Sequence, residues 1–348
     1  MTTPIPTPTP NTEDPGDIQP EATSIWPGLG LCLVAAALAY GIQKMIPGLS
    51  ALLVAILLGV TVSHAVRLPQ ALQPGVKVAA KRVLRIGIVL LGLQLALDDI
   101  LGLGWAMLGV VVVVVAGGLV GTVLIGRLLR LPAPQALLIA CGFSICGAAA
   151  VAGVEGTIER EDEDVATAIA LVVVFGTLMI GIAPLALSLT GLSTHDQGLI
   201  AGGSIHEVAQ VVAAGGLIGG GALSAAVVVK LARVLMLAPV VTTLGLLERR
   251  RTAGAEHVSD SARPPLVPLF VAGFLAAALL RTFAPMPDLA LATGQQLQVL
   301  LLSAAMFALG LGVHVSMLRK AGFRSFALGG LSTLLVASIA TGGVLLAT

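Results

Sequence analysis

His206 and Glu207 stand together in Gly202-Gly203-Ser204-Ile205-His206-Glu207-Val208-Ala209-Gln210, flanked on both sides by stretches apolar enough for a bilayer. An ionisable side chain at membrane depth costs from about 2.5 to more than about 10 kcal/mol, so such groups persist where they line a pathway, bind something or pair. On a helix starting near Ser204, His206 and Gln210 are four apart and Glu207 and Gln210 three apart, which gives one polar face. His206 is suited to carry a proton near neutral pH, and Glu207 to share it or to meet a cation. The alternative is an interhelical hydrogen-bond pin with no further role.

A second interruption lies at Cys141-Gly142-Phe143-Ser144-Ile145-Cys146-Gly147. Two glycines and a serine weaken a helix there and free backbone amides, which at membrane depth is tolerated only in a protein-lined or water-filled site. Gly142, Cys146 and Ala150 also fit small-residue helix packing, and both readings stand. If helix N-termini from the two interruptions converge, their amides and the hydroxyls of Ser144 and Ser204, with Cys146 and Gly147 beside them, make an anion site. Lys230 and Arg233 interrupt another apolar run, about 12 and 16 Å along a helix from Ala222 at 1.5 Å per residue. Snorkelling demands a long reach from that depth. They are expected to face the interior, neutralising an anionic substrate or pairing with Glu207.

Enzyme signatures are absent. Ser144 and Ser204 sit in no Gly-x-Ser-x-Gly elbow, His206-Glu207 lacks a second His at zinc spacing, and there is no Walker loop or dinucleotide fingerprint. Cys32, Cys141 and Cys146 have neither metal-ligand spacing nor a disulfide framework. No metal or cofactor is expected.

The elements that must position these groups follow from composition. With 57% hydrophobic and 11% charged residues, against about 25% charged in soluble domains, the 348-residue chain is an integral membrane protein. Apolar runs of helical rather than barrel length exclude a separate catalytic domain, and a net charge of +1 offers no field for nucleic acid. Eleven spans are expected, at 26–43, 48–65, 82–97, 104–126, 135–155, 164–188, 198–218, 222–247, 265–283, 295–315 and 322–347. Residues 1–24, rich in Pro and Thr, read as a disordered cytoplasmic tail preceding a transmembrane domain over 25–348.

If all eleven cross, the loops on the N-terminal side carry Arg67, Lys77, Lys81, Arg82, Arg127, Arg130, Arg249, Arg250, Arg251, Arg263, Arg319, Lys320 and Arg324, against Lys44, Arg160 and Arg281 opposite. The positive-inside rule then puts the N-terminus in the cytoplasm, and the C-terminus and the acidic loop Glu155 to Asp164 outside. Arg82 and Arg85 read as interface anchors. Two weak echoes suggest internal repeats. Leu91 to Leu97 resembles Leu309 to Val315 and would run in the opposite direction, as in inverted-repeat transporters. Ser144-Ile145-Cys146 echoes Ser204-Ile205-His206, but these run parallel unless one stretch re-enters.

The stretch Ser204 to Gly215, with Lys230 to Pro239, Cys141 to Ala150 and Leu91-Gly92-Leu93, resembles the YeiH family of bacterial inner-membrane proteins, which carry the label of sulfate exporters. The resemblance covers nearly everything after the tail. It implies an all-α, multi-pass secondary transporter of the plasma membrane, similar to the bile-acid and cation/proton antiporter folds, with broken helices. The paired Asp of sodium/proton exchangers is missing.

The expected function is transport of a small inorganic anion such as sulfate or sulfite, with Ser144, Cys146, Gly147, Ser204, Lys230 and Arg233 at the substrate and His206, Glu207 and Gln210 coupling protons. A carrier of an organic sulfonate or carboxylate is the alternative. So are a membrane enzyme using Ser204, His206 and Glu207, and a sensor. Homodimers are common among folds of this kind, though no surface in the sequence declares one.

Overall fold

The computed structural model describes residues 24–46, 51–66, 68–252, 269–312 and 315–348, so the expected tail lies outside the described residues except for Ser24, as do Arg67, Arg263, Val313 and His314. Among the described residues every regular element is helical. Hydrocarbon supplies no hydrogen-bond partners, so a chain this apolar must satisfy its backbone within each segment. The helices are α1 Trp26–Met45, α2 Ala51–Ala65, α3 Gln73–Val78, α4 Leu84–Leu91, α5 Leu97–Leu101, α6 Gly104–Leu128, α7 Ala133–Ser144 and α8 Ala148–Val154. They continue as α9 Asp162–Ser188, α10 Thr194–Ser204, α11 Val208–Ile218, α12 Ala222–Leu235, α13 Leu237–Thr252, α14 Leu269–Phe283, α15 Asp288–Leu311 and α16 Val315–Ala347.

Among the described residues, each of the eleven expected apolar segments is helical over most of its length, with shifted bounds. A π turn at Ala79–Val83 joins α3 to α4 as one run, so the third span begins at Gln73 and not at Arg82. The stems of Lys77, Lys81 and Arg82 are long enough to ride on a helix end while their charges reach polar surroundings. The tenth span begins at Asp288 behind a Pro287 N-cap, and α16 bends at Gly322.

Two segments do not cross. The backbone of Gly198 packs on Ala222 and that of Gly202 on Ala226, so α10 and α12 run parallel. Gly215 of α11 packs on Leu223, just across the turn at Gly219 to Gly221. Helix α11 therefore runs back alongside α10, and the Thr194 hydroxyl at the start of α10 donates to Gly220 O beyond the end of α11 at 2.8 Å. This is a re-entrant hairpin. Helices α7 and α8 form another: Val151 of α8 lies against Gly142 of α7, and Arg130 and Pro132 share one cavity wall with Glu161 and Glu163.

The two hairpins enter from opposite faces, because α9 crosses between them. Their tips meet near mid-depth, with Gly142 beside Val172 and Gln210 beside Gly176 of α9. The echo of Ser144-Ile145-Cys146 in Ser204-Ile205-His206 thus marks two tips of inverted orientation. Re-entry also corrects the side expected for the acidic loop. Glu155 pairs with Lys81 at 3.7 Å and with Arg160 at 3.3 Å, which places that loop and Arg160 on the cationic face. There Glu161 and Asp164 form the capping box of α9, and Asp162, Glu163 and Asp164 fill its first turn, where carboxylates suit the helix dipole.

The helices sort into two bundles. Helices α1, α2, α3 with α4, α14 and α15 pack together, and α6, α9, α12 and α16 enclose both hairpins. Cysteines introduced at Arg130 and Glu159 will be labelled by an impermeant maleimide from one face, and those at Ser193 and Gly221 from the other. The native Cys32, Cys141 and Cys146 are buried and would be replaced. Labelling of Arg130→Cys and Glu159→Cys from opposite faces would restore the full crossing.

Candidate functional site

A helix end leaves its last carbonyls unpaired, and two such ends meet at the hairpin tips, those of α7 and α10. Arg233 resolves this. Its Nε donates to Ser144 O at 3.2 Å and Nη2 to Phe143 O at 2.9 Å, while Nη1 donates to Gly202 O, Gly203 O and Ile205 O at 3.1, 2.7 and 2.9 Å. Lys230 Nζ, one turn earlier on α12, donates to Ile145 O, Ile205 O and His206 O at 2.8, 3.0 and 2.5 Å. Both side chains are fully buried. A cation at a helix C-terminus is favoured by the dipole, and charge-assisted bonds are about twice as strong as neutral ones, so the carbonyls replace the lost hydration. The positions expected to neutralise substrate directly are thus turned toward backbone, and among the described residues neither makes an ion pair with Glu207.

Glu207 takes the opposite pole. Its backbone is extended and it N-caps α11, accepting from the Gln210 amide while Gln210 Oε1 accepts from Glu207 N at 3.0 Å. Glu207 Oε1 also accepts from Ala148 N at the start of α8, at 2.9 Å. One carboxylate therefore joins the N-terminal ends of both return helices. Gly147 makes the approach possible. Its φ of +76° suits glycine, and a Cβ there would fall 2.2 Å from Glu207 Cγ.

The single polar face expected for His206, Glu207 and Gln210 is not formed. Helix α11 starts at Val208, and the extended backbone at Ile205 and Glu207 turns His206 away from Glu207 and Gln210, which stay joined through the capping box. His206 lies against the Phe143 ring with centroids 4.4 Å apart. Its Nε2 is 3.0 Å from Thr333 Oγ1 and its Nδ1 3.4 Å from Phe143 O. Thr333 Oγ1 also lies 2.9 Å from Gly329 O, so the hydroxyl links the His206 ring to the backbone of α16. Ser204 Oγ donates back to Ile200 O at 2.7 Å and takes no part with His206, and buried Ser144 lies against Gly118 of α6. Thr333 and the Ala148 amide are the partners that sequence reading missed. A Ser332-Thr333 pair in an apolar helix was the available signal for the first, and a backbone amide gives none.

Two spaces adjoin the tips. A cavity of about 40 Å³, room for a few waters, is bounded by Cys146, Ala149, Glu207 and Val208 on the hairpins and by Leu302 and Met306 of α15. Further along α15 toward the cationic face, a vestibule of about 630 Å³ opens between the bundles, walled by Lys77, Lys81, Glu155, Asp162 and Ala308 among others. Among the described residues no cluster of His, Cys, Asp or Glu has metal-binding geometry.

The family model described as Conserved hypothetical protein 698 matches residues 27–329. The chain is 55% identical over 320 residues to a UPF0324 membrane protein of Corynebacterium glutamicum, covering 92% of both chains. It is 36% identical over 326 residues to one of Agrobacterium fabrum, again covering 92% of both. To one of Oceanobacillus iheyensis it is 33% identical over 316 residues, covering 90% of this chain and 93% of the relative. The chain belongs to this family of membrane proteins, which is the YeiH family.

The carbonyl cradle makes a stability prediction. Arg233→Met keeps bulk but strands C-terminal carbonyls, and should cost at least about 1–3 kcal/mol, the penalty for leaving one buried polar group unsatisfied. Thermal unfolding in detergent measures it, and a wild-type melting temperature would show that the arginine does not hold the tips. Gly147→Ala should cost at least about 1–2 kcal/mol from the left-handed backbone alone, and Glu207→Ala should relieve the remaining part that comes from the Cβ contact.

Proposed function

We propose that this UPF0324 member is a secondary transporter of a small inorganic oxyanion of the sulfate or sulfite class, coupled to protons through Glu207. The observation that carries this reading is the pair of oppositely inserted hairpins whose tips meet beside buried charges, between two bundles. A continuous helix has no free backbone groups at mid-depth, whereas two tips expose both helix polarities where a solute must pause. By the positive-inside rule the cationic face is cytoplasmic, with the N-terminus on that side and the C-terminus opposite, so the vestibule opens toward the cytoplasm of a bacterial plasma membrane.

Charge arithmetic favours an anion. Each helix end carries roughly half an elementary charge. The C-terminal ends of α7 and α10 together offset about one of the two positive charges of Lys230 and Arg233, while Glu207 offsets the N-terminal ends of α8 and α11. About one positive charge is left over. Protonating Glu207 raises the excess to about two and loosens its hold on the Ala148 amide, conditions that suit a divalent oxyanion. Lys230 and Arg233 then act on substrate through the tips they hold, and Cys146 and Gly147 line its approach. His206 joins hairpin two to α16 and would relay or sense the proton.

The separation of Ser204 from His206 supports transport over covalent catalysis, since the nucleophile and base of an enzyme must lie within hydrogen-bond reach. In proteoliposomes, a pH gradient should drive sulfate flux in the wild type, and Glu207→Gln should uncouple or abolish it. Undiminished gradient-driven flux in that variant would remove the coupling role. A thermal-shift series across pH with sulfate, sulfite, thiosulfate, taurine and small carboxylates should raise stability with the inorganic anions. Stabilisation confined to taurine or carboxylates would transfer the assignment to the organic class.

A further inference from the structure

Arg82 and Arg85 share a crevice of about 530 Å³ that is separate from the hairpin tips. On the bundle of α4 and α14 its wall is Ile86, Val89, Leu269 and Phe270, and across from them stand Gly153, Gly156 and Thr157 at the outer end of hairpin one. Arg85 lies over the Phe270 ring at 5.6 Å from guanidinium carbon to centroid. The neighbouring cations behave differently. Lys81 and Arg160 both pair with Glu155, whereas among the described residues Arg82 and Arg85 have no carboxylate partner and the crevice has no acidic wall.

The π turn between α3 and α4 carries Lys81 and Arg82, and successive residues on a helix point about 100° apart. Lys81 faces the vestibule, and Arg82 faces the crevice with Arg85 one turn on. Anchoring at the interface accounts for a cation near a helix end, but not for two of them over a cavity whose remaining wall is largely apolar and aromatic. A free oxyanion would leave that apolar wall uncovered. An amphiphile with one anionic head matches both parts.

We propose that this crevice is a binding site for an anionic phospholipid, its headgroup phosphate held by Arg82 and Arg85 and an acyl chain laid along Ile86, Val89, Leu269 and Phe270. Such a lipid would bridge the bundle of α4 and α14 to hairpin one, so its occupancy would bear on any movement between them. The proposal does not rest on the transport reading.

The full chain, purified from nanodiscs holding equal phosphatidylcholine and phosphatidylglycerol, would be analysed by native mass spectrometry for retained lipid. Two arginines at about 1 kcal/mol each predict about thirtyfold enrichment of phosphatidylglycerol in the wild type. Arg82→Lys with Arg85→Lys should keep most of it, Arg82→Gln with Arg85→Gln should lose it, and Lys77→Gln, outside the crevice, should match the wild type. Equal retention of the two lipids by the wild type, or enrichment surviving in the double glutamine variant, would overturn the site. Loss in Lys77→Gln as large as in the double variant would reduce it to general surface potential. Displacement of the lipid by millimolar inorganic phosphate would reassign the crevice to a free oxyanion. All comparisons use monodisperse protein, so a folding failure is seen before lipid is counted.

Discussion

Two buried cations on α12 close the carbonyl ends of two half-helices, and the interior is arranged around that contact. Without Arg233 and Lys230 the last turns of α7 and α10 would present unpaired carbonyls at mid-depth, each costing several kcal/mol in a medium without water. Without the carbonyls, the guanidinium and ammonium would stand unpaired where burial of an ion costs far more than any single bond returns. Each half of the interaction is untenable alone. Together they fix how deep each hairpin reaches and where both lie against α12.

The opposite pole follows from the same geometry. A hairpin that ends its ingoing helix at a tip must begin its outgoing helix there too, so free amides lie within one loop of the free carbonyls. Glu207 serves the amides of both return helices, and Gly147 clears the space it needs. His206 ties the same tip to α16 through Thr333. Charge at the tips is thereby separated along a few residues, cations on one side and a carboxylate on the other. The carboxylate is the member that borders open space. The cations are engaged with backbone carbonyls instead.

Much of this was legible in the chain. Ser204 to Gln210 and Ser144 to Gly147 announced themselves as breaks because polar and glycine residues at membrane depth have few structural uses, and Lys230 and Arg233 because their distance from a helix end exceeded a comfortable reach. Other features left no local trace. Re-entry of Gln135 to Glu155 was hidden because a hairpin and a broken crossing have the same apolar length. The acidic loop was assigned to the wrong face for that reason alone, and the pairing of Glu155 with Lys81 corrected it. The partners of His206 and Glu207 were likewise silent. One is a threonine 127 residues away and the other a backbone amide.

The sequence by itself determined that this is a helical membrane protein, which segments are apolar, where helices are interrupted and which charges are buried, because those are questions of transfer from water that each residue answers alone or with near neighbours. Only the tertiary structure decided which face each hairpin enters from, that the cations cap carbonyls instead of pairing with Glu207, and that Glu207 bridges two helix starts. Those outcomes depend on backbone groups that are chemically identical at every position. Which of them are left unpaired, and which side chain reaches them, is settled only when helices distant in the chain are brought together.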